Sequence, residues 1–337
     1  MLKLHKPNIL IRPVVNNRNA PAHKTARRLN TILNNHLHLE DHYNTINSNI
    51  LSNELIKLKI NRHHRLLTLD IKDLYVNVPI QETLNLTRNQ LRIHDDKKTT
   101  HQIMTLLSII LKQNYFSFKG RICQPDKDVA MGSPISGTMA EIFLQQLENN
   151  IVKHLIDTKI LSFYTRYVDD IFLIYDSTRT NPDHILQYID TIHSCIQLSP
   201  TTESNNNVNF LDISITRRPT CLSISIFRKP TSTDTTINFL SNHALEHIMA
   251  AYQFLINRML SLPLDKKQQD KEWQHISCIA HNNGIPPTLL TRLRLRIQRN
   301  NSLPKSPTPS NKGKNGLPSH TRHHRSGKSL TSSNTPT

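Results

Sequence analysis

Two adjacent carboxylates, Asp169 and Asp170, stand between apolar runs of strand-forming residues, Phe163-Tyr164 before them and Ile171-Phe172-Leu173-Ile174-Tyr175 after them. Such flanks predict a hairpin over 162–175 with Tyr167-Val168-Asp169-Asp170 at its tip. Like charges side by side at a tight turn repel, so the pair gains from a cation placed against it. A divalent ion such as Mg²⁺, which takes one or two carboxylates together with substrate phosphates, meets that need. The plainer reading is a solvated Asp-Asp turn; the aliphatic strands on both sides favour a buried scaffold instead. A further carboxylate ends the run Leu66-Leu67-Thr68-Leu69-Asp70, which reads as a buried strand with the acid at its C-terminal end. Two-metal phosphoryl chemistry needs carboxylates from separate strands converging on ions about 3.5–4 Å apart. Asp70, Asp169 and Asp170 are the candidates for that set. Asp73 and Tyr75 fall in the turn that follows, before Pro79 and a helical stretch. Asp73 reads as a turn acid with its backbone N–H near a phosphate, or as a helix N-cap.

A third element is Met131-Gly132-Ser133-Pro134-Ile135-Ser136-Gly137-Thr138-Met139-Ala140-Glu141. Gly132 allows close backbone approach, and Pro134 suits the first turn of a helix whose N-terminus faces anions. A Gly-Ser-Pro turn before a helix is commonplace alone. Between two acidic strands it becomes a resting place for a template and an incoming nucleotide.

The order Asp70, Gly132-Ser133-Pro134, Tyr167-Val168-Asp169-Asp170 resembles the A, B and C motifs of a reverse transcriptase palm. Val208-Asn209-Phe210-Leu211-Asp212-Ile213, Phe227-Arg228-Lys229-Pro230-Thr231-Ser232-Thr233-Asp234 and Ser241-Asn242-His243 resemble the later palm and primer-grip region of Penelope-like retroelements. Ile11-Arg12-Pro13-Val14-Val15 is similar to their fingers segment, so the resemblance runs over roughly residues 8–295. It implies an α+β right-hand polymerase: a palm of antiparallel sheet with helices, partial fingers and a helical thumb. The implied activity is RNA-directed DNA synthesis by a retrotransposon enzyme, with two Mg²⁺ ions (Mn²⁺ able to substitute), an RNA template, a DNA primer or target, and dNTP. Asp70, Asp169 and Asp170 match the catalytic, metal-binding acids. Arg12, Ile71, Asp73, Tyr75, Gly132 and Ser133 match the nucleotide-binding set, with Tyr75 the bulky residue that excludes a ribose 2′-hydroxyl. Tyr167, Phe227, Arg228, Lys229 and Pro134 match primer and template contacts. Asp128 stands where the family usually has Gly, Ala244 where Pro is usual, and His247-Ile248 where a basic residue is common.

Composition agrees with a phosphate-rich partner. The 42 Lys plus Arg exceed the 25 Asp plus Glu by 17 charges, an excess that favours polynucleotides through counterion release. Part of it lies in the tail, but Arg292, Arg294, Arg296 and Arg299 form a basic cluster before it, in a strand or on a helix rim. The 337 residues suffice for a sizeable core. No apolar run approaches the ~20 residues of a membrane span, and Met1-Leu2-Lys3-Leu4-His5 has no secretory h-region. Cys123, Cys195, Cys221 and Cys278 lack C-x-x-C spacing and read as reduced thiols. His63-His64 and His323-His324 lack partners at zinc-finger spacing. The expected location is intracellular, in the nucleus.

Stepwise periodicity divides the chain into partial fingers over 1–65, with helices through Ala26–Leu39 and Ile46–Ile60; a palm over 66–225; a primer grip and helical thumb over 226–300; and a disordered basic tail over 301–337. Within the palm the expected order is the strand ending at Asp70, helices 81–93 and 98–112, hairpin 114–124, helix 134–156, hairpin 162–175, helix 181–197, and strands 208–216 and 221–227. With few residues ahead of Asp70 and a tail without a GIY-YIG nuclease pattern, the chain reads as a truncated element reading frame. The alternative is a catalytically inactive, truncated remnant that binds nucleic acid and catalyses nothing.

Overall fold

The computed structural model describes residues 20–39, 43–113, 115–123 and 132–302. Arg12, Asp128 and the tail from 303 lie outside these residues.

The described chain opens with two helices, α1 (His23–His36), which starts and ends three residues earlier than the periodicity suggests, and α2 (Ser48–Leu55), which is shorter than expected. Asn47 sets the start of α2 by accepting the Ile50 N–H at 3.0 Å. The first strand, β1 (His64–Ile71), is followed by the single turn α3 (Leu74–Asn77), then α4 (Ile80–His94) and α5 (Lys97–Lys112). Asp96 caps α5 by accepting from the N–H groups of Lys98 and Thr99. The small hairpin β2 (Phe116–Phe118) and β3 (Arg121–Cys123) precedes the long helix α6 (Ser136–Asp157). The acidic hairpin then forms from β4 (Leu161–Tyr167) and β5 (Asp170–Asp176). Beyond it come α7 (Pro182–Ile192), β6 (Leu198–Thr202), β7 (Asn207–Phe210), β8 (Ile213–Arg217) and β9 (Leu222–Ile226). Three helices close the described chain: α8 (Leu245–Ser261), α9 (Lys266–Asn282) and α10 (Pro287–Ser302). The fold is α+β, as the sequence suggests. Among the described residues no helix is long and apolar enough to cross a membrane.

A four-stranded antiparallel sheet in the order β4-β5-β1-β6 forms the centre. Both of its faces are covered, and the strand pattern shows how. Leu67, Leu69 and Ile71 of β1, with Ile171, Leu173 and Tyr175 of β5, pack into a core shared with helices α1, α4, α5 and α6. The intervening residues, Leu66, Phe172 and Ile174, pack on the other side against α2 and the β7-β8-β9 sheet. Period-two alternation thus divides one apolar run between two cores. A third core joins α8, α9 and α10 through Tyr252, Ile256, Met259, Ile276, Leu293 and Ile297.

One expectation changes, and one open choice is resolved. The helix expected over 181–197 stops at Ile192, and Leu198–Thr202 becomes a strand paired with β1. No element was expected over 198–202; β6 accommodates Pro200 because β6 is an edge strand, where a missing N–H breaks no ladder on the open side. The Arg-Leu alternation over 292–297 is helical. Leu293 and Ile297 turn inward, while Arg292, Arg296 and Arg299 are exposed and Arg294 lies over the Trp273 ring, 4.3 Å from its centroid.

Candidate active site

Asp70 and Asp170 are register partners across the β1–β5 pair. Each has the strand parity of residues facing the second core, Leu66 and Thr68 on one strand and Phe172 and Ile174 on the other. The two side chains therefore leave the sheet on one face at its end, their Cβ atoms about 5 Å apart by ordinary cross-strand geometry. Asp169 is one residue away in the two-residue loop between β4 and β5. All three line one open cleft of about 660 Å³. Tyr167, Asp212, Phe227 and Lys229 also border it. Opposed like charges destabilise a strand pair, a cost that a cation in the cleft would offset.

The loop carrying Asp169 is strained. Val168 has φ 57°, a left-handed value that β-branched residues rarely adopt, and hairpins of this length usually place Gly or Asn there. Both carbonyls of the loop are tied down. The Ile71 N–H donates to the Asp169 carbonyl at 2.9 Å, and Arg166 Nη1 donates to the Val168 carbonyl at 3.2 Å. Arg166 is 1% exposed and also grips Glu148 through Nε at 2.6 Å and Glu141 through Nη2 at 2.9 Å. Burial pushes the Glu148 carboxyl up, only partly opposed by Arg166. At Glu141 burial acts the same way, but the bonds and charge of Arg166 outweigh it and hold the carboxyl below its usual range. Burial pushes the Tyr164 phenol well up, with the Glu148 charge adding to the effect, so it stays a donor to Glu148 Oε1 at 3.0 Å.

The remaining sequence-derived residues divide by place. Tyr75 is half-buried at the edge of a separate cavity of about 370 Å³, shared with Asn34, Pro134, Thr138 and Val168. Burial, then the charges of Asp169 and Glu141, raise its phenol pKa. Asp73 adopts φ 48° at the N-cap position of α3, with no capping bond from its side chain. Its carbonyl accepts from the N–H groups of Val76 and Asn77. Gly132 has φ 117°, a conformation that demands glycine, and the Ser133 carbonyl accepts the Ser136 N–H at 3.2 Å as α6 begins. Ile71 contributes backbone only, since its side chain is 1% exposed in the core. Tyr167, Phe227 and Lys229 border the cleft, whereas Arg228 forms a two-pronged ion pair with Glu272 of α9. Sequence reading missed Arg166 and its two glutamates; the seven-residue spacing of Glu141 and Glu148, which repeats one helix face, was the available signal. It also missed Asn47, Thr201 and Asn209 in the cleft wall, which only tertiary pairing brings there.

Among the described residues no set of three or more His, Cys, Asp or Glu side chains is gathered closely enough to hold a metal ion by itself. The donors nevertheless fit Mg²⁺. They are hard carboxylate oxygens without imidazole or thiolate, on one face of an open cleft, and Mg²⁺ completes its shell with water and phosphate oxygens.

A family model described as "Reverse transcriptase (RNA-dependent DNA polymerase)" matches residues 5–202. Among solved structures, a telomerase from Candida albicans, in complex with a TWJ fragment of telomeric RNA, superposes with TM-score 0.56 at 11% identity over 83% of this chain and 48% of that one. A Candida tropicalis telomerase with a TWJ fragment gives TM-score 0.47 at 13% identity, over 82% of this chain and 50% of that one. The Sicinivirus 3Dpol RNA-dependent RNA polymerase gives 0.41 at 15%, over 74% and 54%. The first of these shows a shared polymerase fold, and the chain spans about half the length of each of these structures. No curated protein sequence matches the chain significantly.

Proposed function

The chain belongs to the reverse transcriptase (RNA-dependent DNA polymerase) family, and on that premise we propose that it copies an RNA template into DNA as the enzyme of a Penelope-like retrotransposon. The observation that carries the reading is the pairing of Asp70 with Asp170 across the sheet, with Asp169 beside them and all three on one cleft. The primer 3′-hydroxyl attacks the α-phosphorus of a dNTP and pyrophosphate leaves. Two Mg²⁺ ions, held by Asp70, Asp169 and Asp170, would supply charge stabilisation to attacking and leaving oxygens. The chain itself supplies position, which is worth much of the barrier in such reactions. The sheet fixes the carboxylates, Lys229 offers a cation to a phosphate at the cleft wall, and Tyr75 walls the cavity beside Val168. In this reading residues 1–65 form partial fingers, 66–225 the palm, 226–300 the primer grip and thumb, and 301–337 a tail.

Tyr75 then stands against the sugar. Tyr75→Ala is expected to raise ribonucleotide incorporation relative to deoxyribonucleotide by about 10²-fold, the scale of one steric contact, as read from competing dTTP and UTP extension. Unchanged discrimination would remove Tyr75 from this role. The charge excess of 17 predicts that duplex affinity falls about 10³-fold between 50 and 200 mM salt if some six phosphates are neutralised. A fluorescence-anisotropy titration at several salt concentrations measures that slope.

Extension of oligo(dT) on poly(rA) with dTTP and Mg²⁺ tests the function itself. Extension supports the polymerase. A folded protein that binds the duplex and adds nothing would be the inactive remnant, a reading that the engagement of Arg228 by Glu272 favours.

A further inference from the structure

The Arg166 guanidinium has five N–H donors, and all five are used. Nε and Nη2 donate to the two oxygens of Glu148 at 2.6 and 3.1 Å. Nη2 and Nη1 donate to the two oxygens of Glu141 at 2.9 and 3.2 Å. The fifth reaches the Val168 carbonyl at 3.2 Å. The backbone of Arg166 is equally engaged, donating to the Tyr43 carbonyl at 2.8 Å and accepting the Thr45 N–H at 2.9 Å. Gln145 and Asn44 donate to Glu141, and Tyr164 donates to Glu148.

A buried cation between two carboxylates is weak evidence for stability, since an apolar cluster often serves as well. What an apolar cluster cannot do is hold a carbonyl. The one guanidinium hydrogen bond outside the carboxylates falls on Val168, the strained residue immediately before Asp169. Left-handed backbone at a β-branched residue persists only where its surroundings over-determine it. Here the guanidinium fixes one carbonyl of the loop and the Ile71 N–H fixes the next.

We propose that Arg166 is a positioning residue, clamped by Glu141 and Glu148 of α6, that holds the Val168-Asp169 loop in its strained form and so sets how Asp169 meets a divalent ion. The same clamp couples the loop to the helix that follows the Gly132-Ser133-Pro134 turn. Lysine, with three donors on a flexible stem, keeps the charge but cannot replace all five hydrogen bonds.

This inference rests on the polymerase reading, and the experiment separates the two. Arg166→Lys and Glu141→Gln are compared with the unaltered chain in Mg²⁺ titrations of primer extension, duplex affinity, thermal melting, and Mn²⁺ binding followed by loss of the free-ion EPR signal. Removing the partner of a metal ligand typically weakens metal affinity or activity 10–100-fold. Arg166→Lys should therefore lower kcat by about 30-fold and raise the Mg²⁺ and Mn²⁺ midpoints about 10-fold, with KM for dTTP and duplex affinity within about 2-fold. Glu141→Gln, which leaves the Glu148 pair intact, should shift both midpoints in the same direction by about 3-fold and serves if Arg166→Lys fails to fold. Extension by the unaltered chain with midpoints unmoved in the folded variants overturns the inference and leaves the polymerase reading standing. No extension, with Mn²⁺ binding weakened in the variants, overturns the polymerase reading and leaves the inference. Neither extension nor Mn²⁺ binding by the unaltered chain overturns both.

Discussion

Asp169→Asn is expected to reduce primer extension at least ~10³-fold, about 4 kcal/mol of transition-state stabilisation, while the protein stays folded. The side chain sits in a two-residue loop on the cleft and is only half-buried, so an isosteric amide disturbs no packing. In the proposed reaction it removes one of three anionic donors to a doubly charged ion. The same loss is expected for Asp70→Asn, where a second consequence follows. Asp70 and Asp170 face each other across the sheet, and opposed like charges cost a strand pair up to about 1 kcal/mol. Without bound metal, Asp70→Asn should melt no lower than the unaltered chain, within about 2 °C. A carboxylate of structural importance would behave in the opposite way, retaining activity in the folded fraction and lowering the melting temperature. Thermal melts in EDTA and extension assays in Mg²⁺, run on the same preparations, distinguish the two.

Phe172→Ala is expected to cost about 4 kcal/mol of stability, the usual loss for a buried aromatic truncated to Ala. Phe172 is 0% exposed and joins the two sheets. Its ring lies 6.0 Å from that of Phe163 and 5.7 Å from that of Phe210, separations at which aromatic pairs add to simple burial. The cavity left behind faces residues held by two sheets and α2, which leaves little freedom to collapse. Against a typical domain stability of 5–15 kcal/mol, the melting temperature should fall by roughly 10 °C. Phe254→Ala makes the comparison, because Phe254 of α8 is 62% exposed and its truncation should stay within about 0.5 kcal/mol. Equal effects in urea melts would mean that the Phe172 core does not carry the sheet-to-sheet contact.

The hairpin at 161–176 was legible because strand-forming residues flank the acids on both sides, without a break over Ile171–Tyr175. Asp70 was legible for the same reason, at the end of an unbroken run. The partnership of Asp70 with Asp170 was not, because periodicity assigns a face to each residue but not a register to a pair of strands. The edge strand β6 was not expected, because its place at the sheet edge depends on which strands stand beside it. The segment 292–297 stayed ambiguous because an Arg-Leu alternation over six residues satisfies the strand period and one helical face alike. Arg166 was silent for a different reason: a lone arginine within a strand carries no sign that its partners lie on a helix 18 and 25 residues earlier. Likewise Arg258 of α8 donates to the Asp212 and Phe227 carbonyls at 2.7 and 3.1 Å, tying the terminal helices to the cleft wall through contacts that no local pattern encodes. The site's donors were thus written in the chain, and their supports were not.

Single-nucleotide addition on a heteropolymeric RNA template, one dNTP at a time, beside an Asp169→Asn/Asp170→Asn control, tests the central claim most directly. The protein is expected to add the complementary dNTP alone, in the presence of Mg²⁺ or Mn²⁺, and the control to add none. Addition that ignores the template, addition that survives in the control, or no addition by a folded protein bound to the duplex would contradict it.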